Sequence, residues 1–277
     1  MSLIAAAVQM NSGPDLAKNL ARARALVEQA ADRGARLVAL PENFALMTAN
    51  EEDKRDAAEA IEPGPSEKPG RIVSAMAEAA AATKSWLVLG GMPERSAEAG
   101  SGRVHNSCVV LDDTGAVRAV YRKIHLFDVF IPDGASYAES KSVAPGTEPV
   151  VVETPWGGLG LSVCYDVRFP ELYRALSSGG ARMAVVPAAF TLHTGRDHWH
   201  VLLRARAIEN LLYVIAPAQQ GRHEGNRLTF GHSLVVEPWG TVIADAPDGE
   251  GLAVAELDFE RQARLRRELP ALDHRRL

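Results

Sequence analysis

Apolar residues along this chain follow two rhythms. Residues 3–8 form a continuous apolar run that ends at Gln9, the length of a buried strand and well short of the about 20 residues that cross a membrane as a helix. No basic flank precedes the run, so it does not read as a targeting segment. After Gly13 and Pro14, Asp15 stands where a helix cap belongs, and Leu16, Leu20, Ala23 and Val27 recur at helical spacing as far as Gly34. Residues 37–40 are a second short apolar run, closed by Pro41. The alternation then repeats, with a helix predicted over 71–83 and a strand over 86–89. Two strand–helix–strand passes predict parallel pairing, since parallel neighbours need a long crossover between them.

The middle of the chain changes character. Apolar runs at 107–111 and 116–121 flank Asp112-Asp113-Thr114-Gly115, which predicts a hairpin. Runs at 150–153 and 159–163 bracket Pro155-Trp156-Gly157-Gly158 in the same way. A third strand–helix–strand pass covers 159–163, 171–177 and 183–186. A helix over 198–210 leads to a strand over 213–216, and 233–236, 241–244 and 253–257 read as a closing meander. No repeat and no linker breaks the series, so residues 1–277 are expected to form a single domain. Periodicity gives a mixed α/β chain. Two sheets packed face to face with helices outside would bury every apolar run, but the number of sheets is not contained in the pattern.

Composition narrows the function. The chain is 47% hydrophobic and 23% charged with a net charge of −5, ordinary for a soluble enzyme and without the basic excess of a nucleic-acid binder. The arginines of the tail 261–276 are interleaved with Glu260, Glu268 and Asp273, which reads as a solvated helix face. Two cysteines, Cys108 and Cys164, make no disulfide framework and fit a reducing cytoplasmic setting. There is no CxxC or HExxH pattern, and His198 and His200, two apart, do not share a helix face. The sequence therefore predicts no metal and no cofactor. Gly157-Gly158-Leu159-Gly160 turns into a strand rather than a helix and is no phosphate cradle.

Three polar residues stand at the ends of predicted strands. Cys164 closes the run 159–163 just before a helix, where ligands bind in sheets of this kind. It is either a buried core thiol or a nucleophile, and position alone does not choose. Glu42 lies just past the strand 37–40, as a solvated loop residue or a base. Lys123 follows the second hairpin strand, where edge lysines are common. Taken together the three are chemically complete. A carboxylate can take the thiol proton, an ammonium can hold an oxyanion, and the thiol can carry an acyl group.

In their motifs these residues resemble a known family. Pro41-Glu42-Asn43-Phe44, Tyr121-Arg122-Lys123-Ile124-His125 and Gly160-Leu161-Ser162-Val163-Cys164-Tyr165-Asp166 are similar to the three catalytic blocks of the nitrilase superfamily of carbon–nitrogen hydrolases. The likeness continues in order through Pro187-Ala188-Ala189-Phe190 and Gly231-His232-Ser233. It implies a four-layer αββα sandwich, a homodimer or larger homo-oligomer, and a Glu42–Lys123–Cys164 triad. It also implies supporting or substrate-positioning roles for Glu139, Tyr165, Phe190, His198 and Arg168.

Within the superfamily the chain resembles the branch of deaminated glutathione amidases and omega-amidases. This implies hydrolysis of the primary amide of a small glutamine-like 2-oxo acid to carboxylate and ammonia through a thioester. The same triad serves carbamoyl hydrolases and nitrilases. One position departs from the branch: His200 follows His198-Trp199 where relatives usually carry Glu.

Overall fold

Strand β1 (Ser2–Met10) shows how the layers form. Its odd positions Leu3, Ala5 and Ala7 enter one core and its even positions Ala6, Val8 and Met10 another, as the two-residue period of a strand requires. In this computed structural model, which describes residues 2–61, 70–96, 102–130 and 136–276, β1 is followed by α1 (Leu16–Asp32), β2 (Leu37–Ala39), a short α2 (Glu51–Ala57), α3 (Arg71–Thr83) and β3 (Trp86–Arg95). The hairpin β4 (Val104–Leu111) and β5 (Val117–Arg122) comes next, then a small ribbon of β6 (Asp128–Phe130) and β7 (Ser136–Ala138). The second half runs β8 (Val151–Thr154), β9 (Gly157–Leu161), α4 (Pro170–Ser178), β10 (Ala181–Val185), α5 (Leu192–Asn210), β11 (Tyr213–Ala216), β12 (Ala218–Arg222) and β13 (Leu228–Phe230). It closes with β14 (Leu234–Val236), β15 (Val242–Asp245), β16 (Gly251–Asp258) and α6 (Phe259–Glu268).

Two large sheets result. One has the order β13-β12-β1-β2-β3-β4-β5 with β16 also paired to β1; the other runs β15-β14-β11-β10-β9-β8. Their centres, β1-β2-β3 and β9-β10-β11, are parallel, as the strand–helix–strand passes predict. Leu37, Val88 and Val110 face the second sheet, while Val38, Leu87, Leu89 and Val109 face α1 and α3 through Leu26, Val27, Ile72 and Met76. On the far side, α4 and α5 cover the second sheet with Leu172, Tyr173, Trp199 and Leu203. The layers are αββα. Central strands covered on both faces read as continuous apolar runs, not as alternation.

Two departures from the periodicity bear on the layers. β16 closes no meander beside β15: it returns to the first sheet and pairs antiparallel with β1, from Ser2↔Asp258 to Gln9↔Gly251. Which edge a strand joins is a non-local choice that its own pattern does not encode. The helix predicted over 198–210 begins earlier, at Leu192, where the Thr191 side chain accepts the Thr194 N–H; Gly195 and the polar residues after it hide this first stretch. Among the described residues no helix is long and apolar enough to cross a membrane.

One irregularity sets up the site. The pairing of β3 with β4 slips between Leu89 and Met92, at Gly90-Gly91. A Cβ on Gly90 would stand 2.2 Å from both the Leu40 carbonyl oxygen and Pro187 Cβ. Gly91, at φ 63°, lies against Glu42 and Asn106. The bulge lets the ends of β2, β3 and β10 come together without side chains between them. Gly90→Ala is expected to lose about 1–3 kcal/mol, or more, in urea unfolding. Gly13→Ala, with nothing within 4 Å of its added carbon, is expected to stay within about 0.5 kcal/mol. Equal losses would show that the bulge is not tightly packed.

Candidate active site

Cys164 follows β9 by two extended residues and opens a 3₁₀ turn, Cys164–Arg168. Its φ is +51°, a left-handed conformation that costs a non-glycine residue about 1–3 kcal/mol and persists only when neighbours enforce it. Those neighbours are specific. The Cys164 N–H donates to the Pro187 carbonyl at 2.8 Å. The fully buried Asp166 carboxylate accepts the Val163 N–H at 2.8 Å, the Tyr121 hydroxyl at 2.7 Å and the His125 N–H at 3.1 Å. It also lies 2.7 Å from His125 Nδ1, whose ring stacks on Phe169 at 3.7 Å. One carboxylate thus ties the turn that carries Cys164 to the strand end that carries Lys123.

Lys123 follows β5 and points into the space between the sheets. Its Nζ lies 3.1 Å from Glu42 Oε1 and 2.9 Å from Glu139 Oε2. Glu42 is 3% exposed and Lys123 2%, so water contributes almost nothing to either charge. Asn106 Nδ2 donates to Glu42 Oε1 at 2.9 Å, and the Ala189 N–H donates to Glu42 Oε2 at 2.9 Å. Glu139, at the start of a 3₁₀ turn after β7, accepts the Phe127 N–H at 2.7 Å as well as the ammonium. Gln219 Nε2 holds the Glu42 backbone carbonyl at 3.1 Å.

These contacts fix the charge states. Burial opposes ionisation of Glu42, but Lys123, Arg227 and hydrogen bonds from Cys164 and Lys123 together hold its carboxyl below the ordinary range. Burial likewise opposes the Lys123 charge, and is overcome by Glu139, Glu42 and the Cys164 sulfur, which hold the ammonium above its ordinary value. Burial first, and the Glu42 charge second, push the Cys164 thiol up, against Lys123 and the Ala189 N–H. The resting site is therefore thiol, carboxylate and ammonium. The thiol lines the same cavity as the carboxylate that can take its proton, the arrangement that general-base activation needs.

A cavity of about 220 Å³ opens over this cluster. Of the residues expected from the sequence, Glu42, Lys123, Cys164, Glu139, Tyr165 and Phe190 line it. Arg168 and His198 do not. They face each other at 3.3 Å, with the Arg168 guanidinium over Phe190 at 5.1 Å and Tyr165 at 5.8 Å, so they back the wall rather than form it. His200 also lies off the cavity. Cys108 is wholly buried in β4 and belongs to the core.

Sequence reasoning missed Asn106, Asp166 as an organiser, and Arg227. Asn106 carried a signal, a polar residue at the start of an apolar strand run. Arg227 carried none, because it reaches the cavity from the loop before β13. Its guanidinium donates to the Ala189 carbonyl at 3.0 Å and lies 5.4 Å from the Tyr137 ring, and its Nε meets no partner among the described residues.

The sequence profile of the Carbon-nitrogen hydrolase family matches residues 4–267. The chain is 46% identical over 274 residues to a deaminated glutathione amidase of Synechocystis sp. (strain PCC 6803 / GT-S), covering 98% of this chain and 97% of that one. It superposes on Saccharomyces cerevisiae Nit3, a member of branch 10 of the nitrilase superfamily, with a TM-score of 0.88 at 32% identity, over 100% of this chain and 97% of that one. A glutamate-to-glutamine mutant of the amidase from Nesterenkonia sp. AN1, seen after Michael addition of acrylamide at its active-site cysteine, matches with a TM-score of 0.76 at 26% identity, over 97% of this chain and 98% of that one.

The charge states predict how Cys164 reacts. Glu42 stays ionised at any pH above its depressed pKa, so the base is present throughout the neutral range. Alkylation by iodoacetamide is expected to hold its rate from about pH 5.5 to about pH 8 and to fall by about 10²–10⁴ in Glu42→Gln. A rate rising tenfold per unit toward a free-thiol pKa of about 8.5 would mean that the thiol ionises unaided.

Proposed function

The chain belongs to the carbon–nitrogen hydrolase family, a family of hydrolases acting on non-peptide carbon–nitrogen bonds, and from that premise we propose that it is a cofactor-independent thiol amidase for deaminated glutathione and related glutamine-like 2-oxo acids. The observation that carries this reading is the convergence of Cys164, Glu42 and Lys123 on one cavity, with the buried Lys123 ammonium 3.1 Å from the Glu42 carboxylate. Kinship with the Synechocystis amidase supports the substrate class.

The reaction runs in two halves. Cys164 Sγ attacks the amide carbonyl carbon while Glu42 takes the thiol proton. The oxyanion is held by the Lys123 ammonium and by the N–H of Tyr165 in the first turn after the nucleophile. Donors of this kind are typically worth about 3 kcal/mol each. Glu42 passes its proton to the departing nitrogen, the carbon–nitrogen bond breaks and a thioester remains. Glu42 then takes a proton from water as it adds to the thioester. The second intermediate expels the sulfur, which recovers the proton from Glu42. A primary amide leaves as ammonia. In deaminated glutathione the amide nitrogen carries the rest of the peptide, so the same steps release an amine. Arg227 lines the cavity, and its guanidinium charge suits the carboxylate of the 2-oxo acid.

Release of the 2-oxo acid from deaminated glutathione and from 2-oxoglutaramate tests the proposal, with an N-carbamoyl amino acid and a nitrile as competing substrates. The wild type is expected to turn over the first two, and Cys164→Ala to fall to background on both. Turnover by Cys164→Ala at the wild-type rate would remove the nucleophile; preference for the carbamoyl compound or the nitrile would move the chain to another chemistry of the superfamily.

The reading extends to a cytoplasmic homodimer. Val201 and Ile208, two turns apart on α5, are 65% and 45% exposed, beside Trp239 at 55%. Gly240 packs under Ile208 and its carbonyl accepts Arg204 Nε–H at 2.7 Å, which holds the turn that carries Trp239 against α5. Sedimentation velocity is expected to give twice the chain mass, and Val201→Glu to give monomer; a wild-type monomer would refute the dimer.

A further inference from the structure

A second cluster of ligating side chains lies outside the cavity. His200 on α5, His232 between β13 and β14, and Asp245 at the end of β15 bring one donor atom each within 4.8 Å of one another. His200 Nε2 lies 3.3 Å from Asp245 Oδ2, and His232 Nδ1 lies 3.3 Å from Asp245 Oδ1. Among the described residues no other group of histidine, cysteine and carboxylate side chains meets this spacing.

The distances are informative. Where this protein uses a histidine–carboxylate hydrogen bond, at His125 and Asp166, the atoms are 2.7 Å apart, the short contact expected of a charge-assisted pair. At Asp245 two imidazoles share one carboxylate, both 3.3 Å away. Ligands bound about 2.0–2.1 Å from a tetrahedral ion stand about 3.3–3.4 Å from each other. Both imidazole–carboxylate spacings are longer than the short charge-assisted contact at Asp166 and match those of ligands on a common cation.

The frame is also fixed before any ion arrives. His232 is held at φ +53°, a conformation that side chains other than glycine adopt at a cost. Its carbonyl accepts the Trp199 indole N–H at 2.8 Å, and its ring lies 4.5 Å from Phe230. Asp245 is paired in register with Leu234, and the Ala246 N–H donates to the Ser233 carbonyl at 2.8 Å. His200 is mid-helix. The three side chains are 35–39% exposed, which leaves room for water on the remaining positions.

We infer that His200, His232 and Asp245 form a binding site for a first-row divalent cation of the zinc class, which clamps α5 to the β14–β15 edge. Two imidazoles and one carboxylate suit zinc, nickel or copper better than magnesium or calcium, which prefer oxygen ligands alone. This differs from the metal-free expectation drawn from the sequence. That expectation concerned His198 and His200 on one helix, whereas the site takes one histidine from the helix and two ligands from the neighbouring sheet edge. It does not depend on the reaction proposed above.

The test uses tag-free Cys164→Ala protein, in which the active-site thiol cannot take up metal. Calorimetry with zinc chloride is expected to show one site per chain. Cobalt(II) is expected to give the visible bands of a four- or five-coordinate ion without thiolate charge transfer. His200→Gln and Asp245→Asn are expected to weaken zinc binding by at least about tenfold. Zinc is also expected to raise the Tm of the parent protein but not of these variants. In the Cys164 background both variants should keep the amidase rate. Zinc affinity unchanged in both variants, or no uptake at about 100 µM zinc, would overturn the assignment.

Discussion

The structure is organised around an ammonium that has almost no water. Lys123 is buried between Glu42 and Glu139, and removing such charges from water costs several kcal/mol each unless partners converge on them with good geometry. The surrounding features supply that convergence. The bulge at Gly90-Gly91 clears space for Glu42 and Asn106. The Ala189 amide, from the second sheet, completes the Glu42 carboxylate. The ribbon β6–β7 exists at the right place to deliver Glu139. Losing any one of these partners leaves a charge buried without compensation, which is far more costly than the pair is stabilising.

The nucleophile is held by a different device. Asp166 gathers the Val163 amide, the Tyr121 hydroxyl and both the backbone and the ring of His125. This keeps Cys164 in a left-handed turn that its own residue type disfavours. The two devices share one strand end: β5 and the residues after it contribute Tyr121 and His125 to Asp166 and Lys123 to the carboxylates. Base and nucleophile are set in fixed relation because the same few residues belong to both networks. A thiol kept protonated at rest by burial and, after it, by the carboxylate beside it follows from that relation, and it separates this site from one built on a thiolate–imidazolium pair.

Histidine and aspartate meet twice in the molecule with different results. At Asp166 the imidazole is close, stacked and part of the turn's rigidity. At Asp245 two imidazoles stand off at one equal distance on a half-exposed edge. Residue type alone does not separate a structural hydrogen bond from a ligand set; the spacing and the shared acceptor do.

Much of this was legible in the chain itself. Apolar runs and their helical counterparts gave α1, α3, β11 and the parallel passes, because local burial on two faces writes itself into consecutive residues. The strand-end positions of Glu42, Lys123 and Cys164 were legible for the same reason: a polar residue closing an apolar run marks the mouth of a sheet. Tertiary structure alone decided the rest. β16 pairs with β1 across the whole length of the chain, and strand partnership is a non-local choice. Asn106, Arg227 and Asp245 acquire their meaning from Glu42, Ala189 and His200, which lie 64, 38 and 45 positions away. The sequence by itself determined which residues end the strands. Only the packing of two sheets determined which of those ends meet, because burying a charge is tolerable only where its partners arrive from several elements at once.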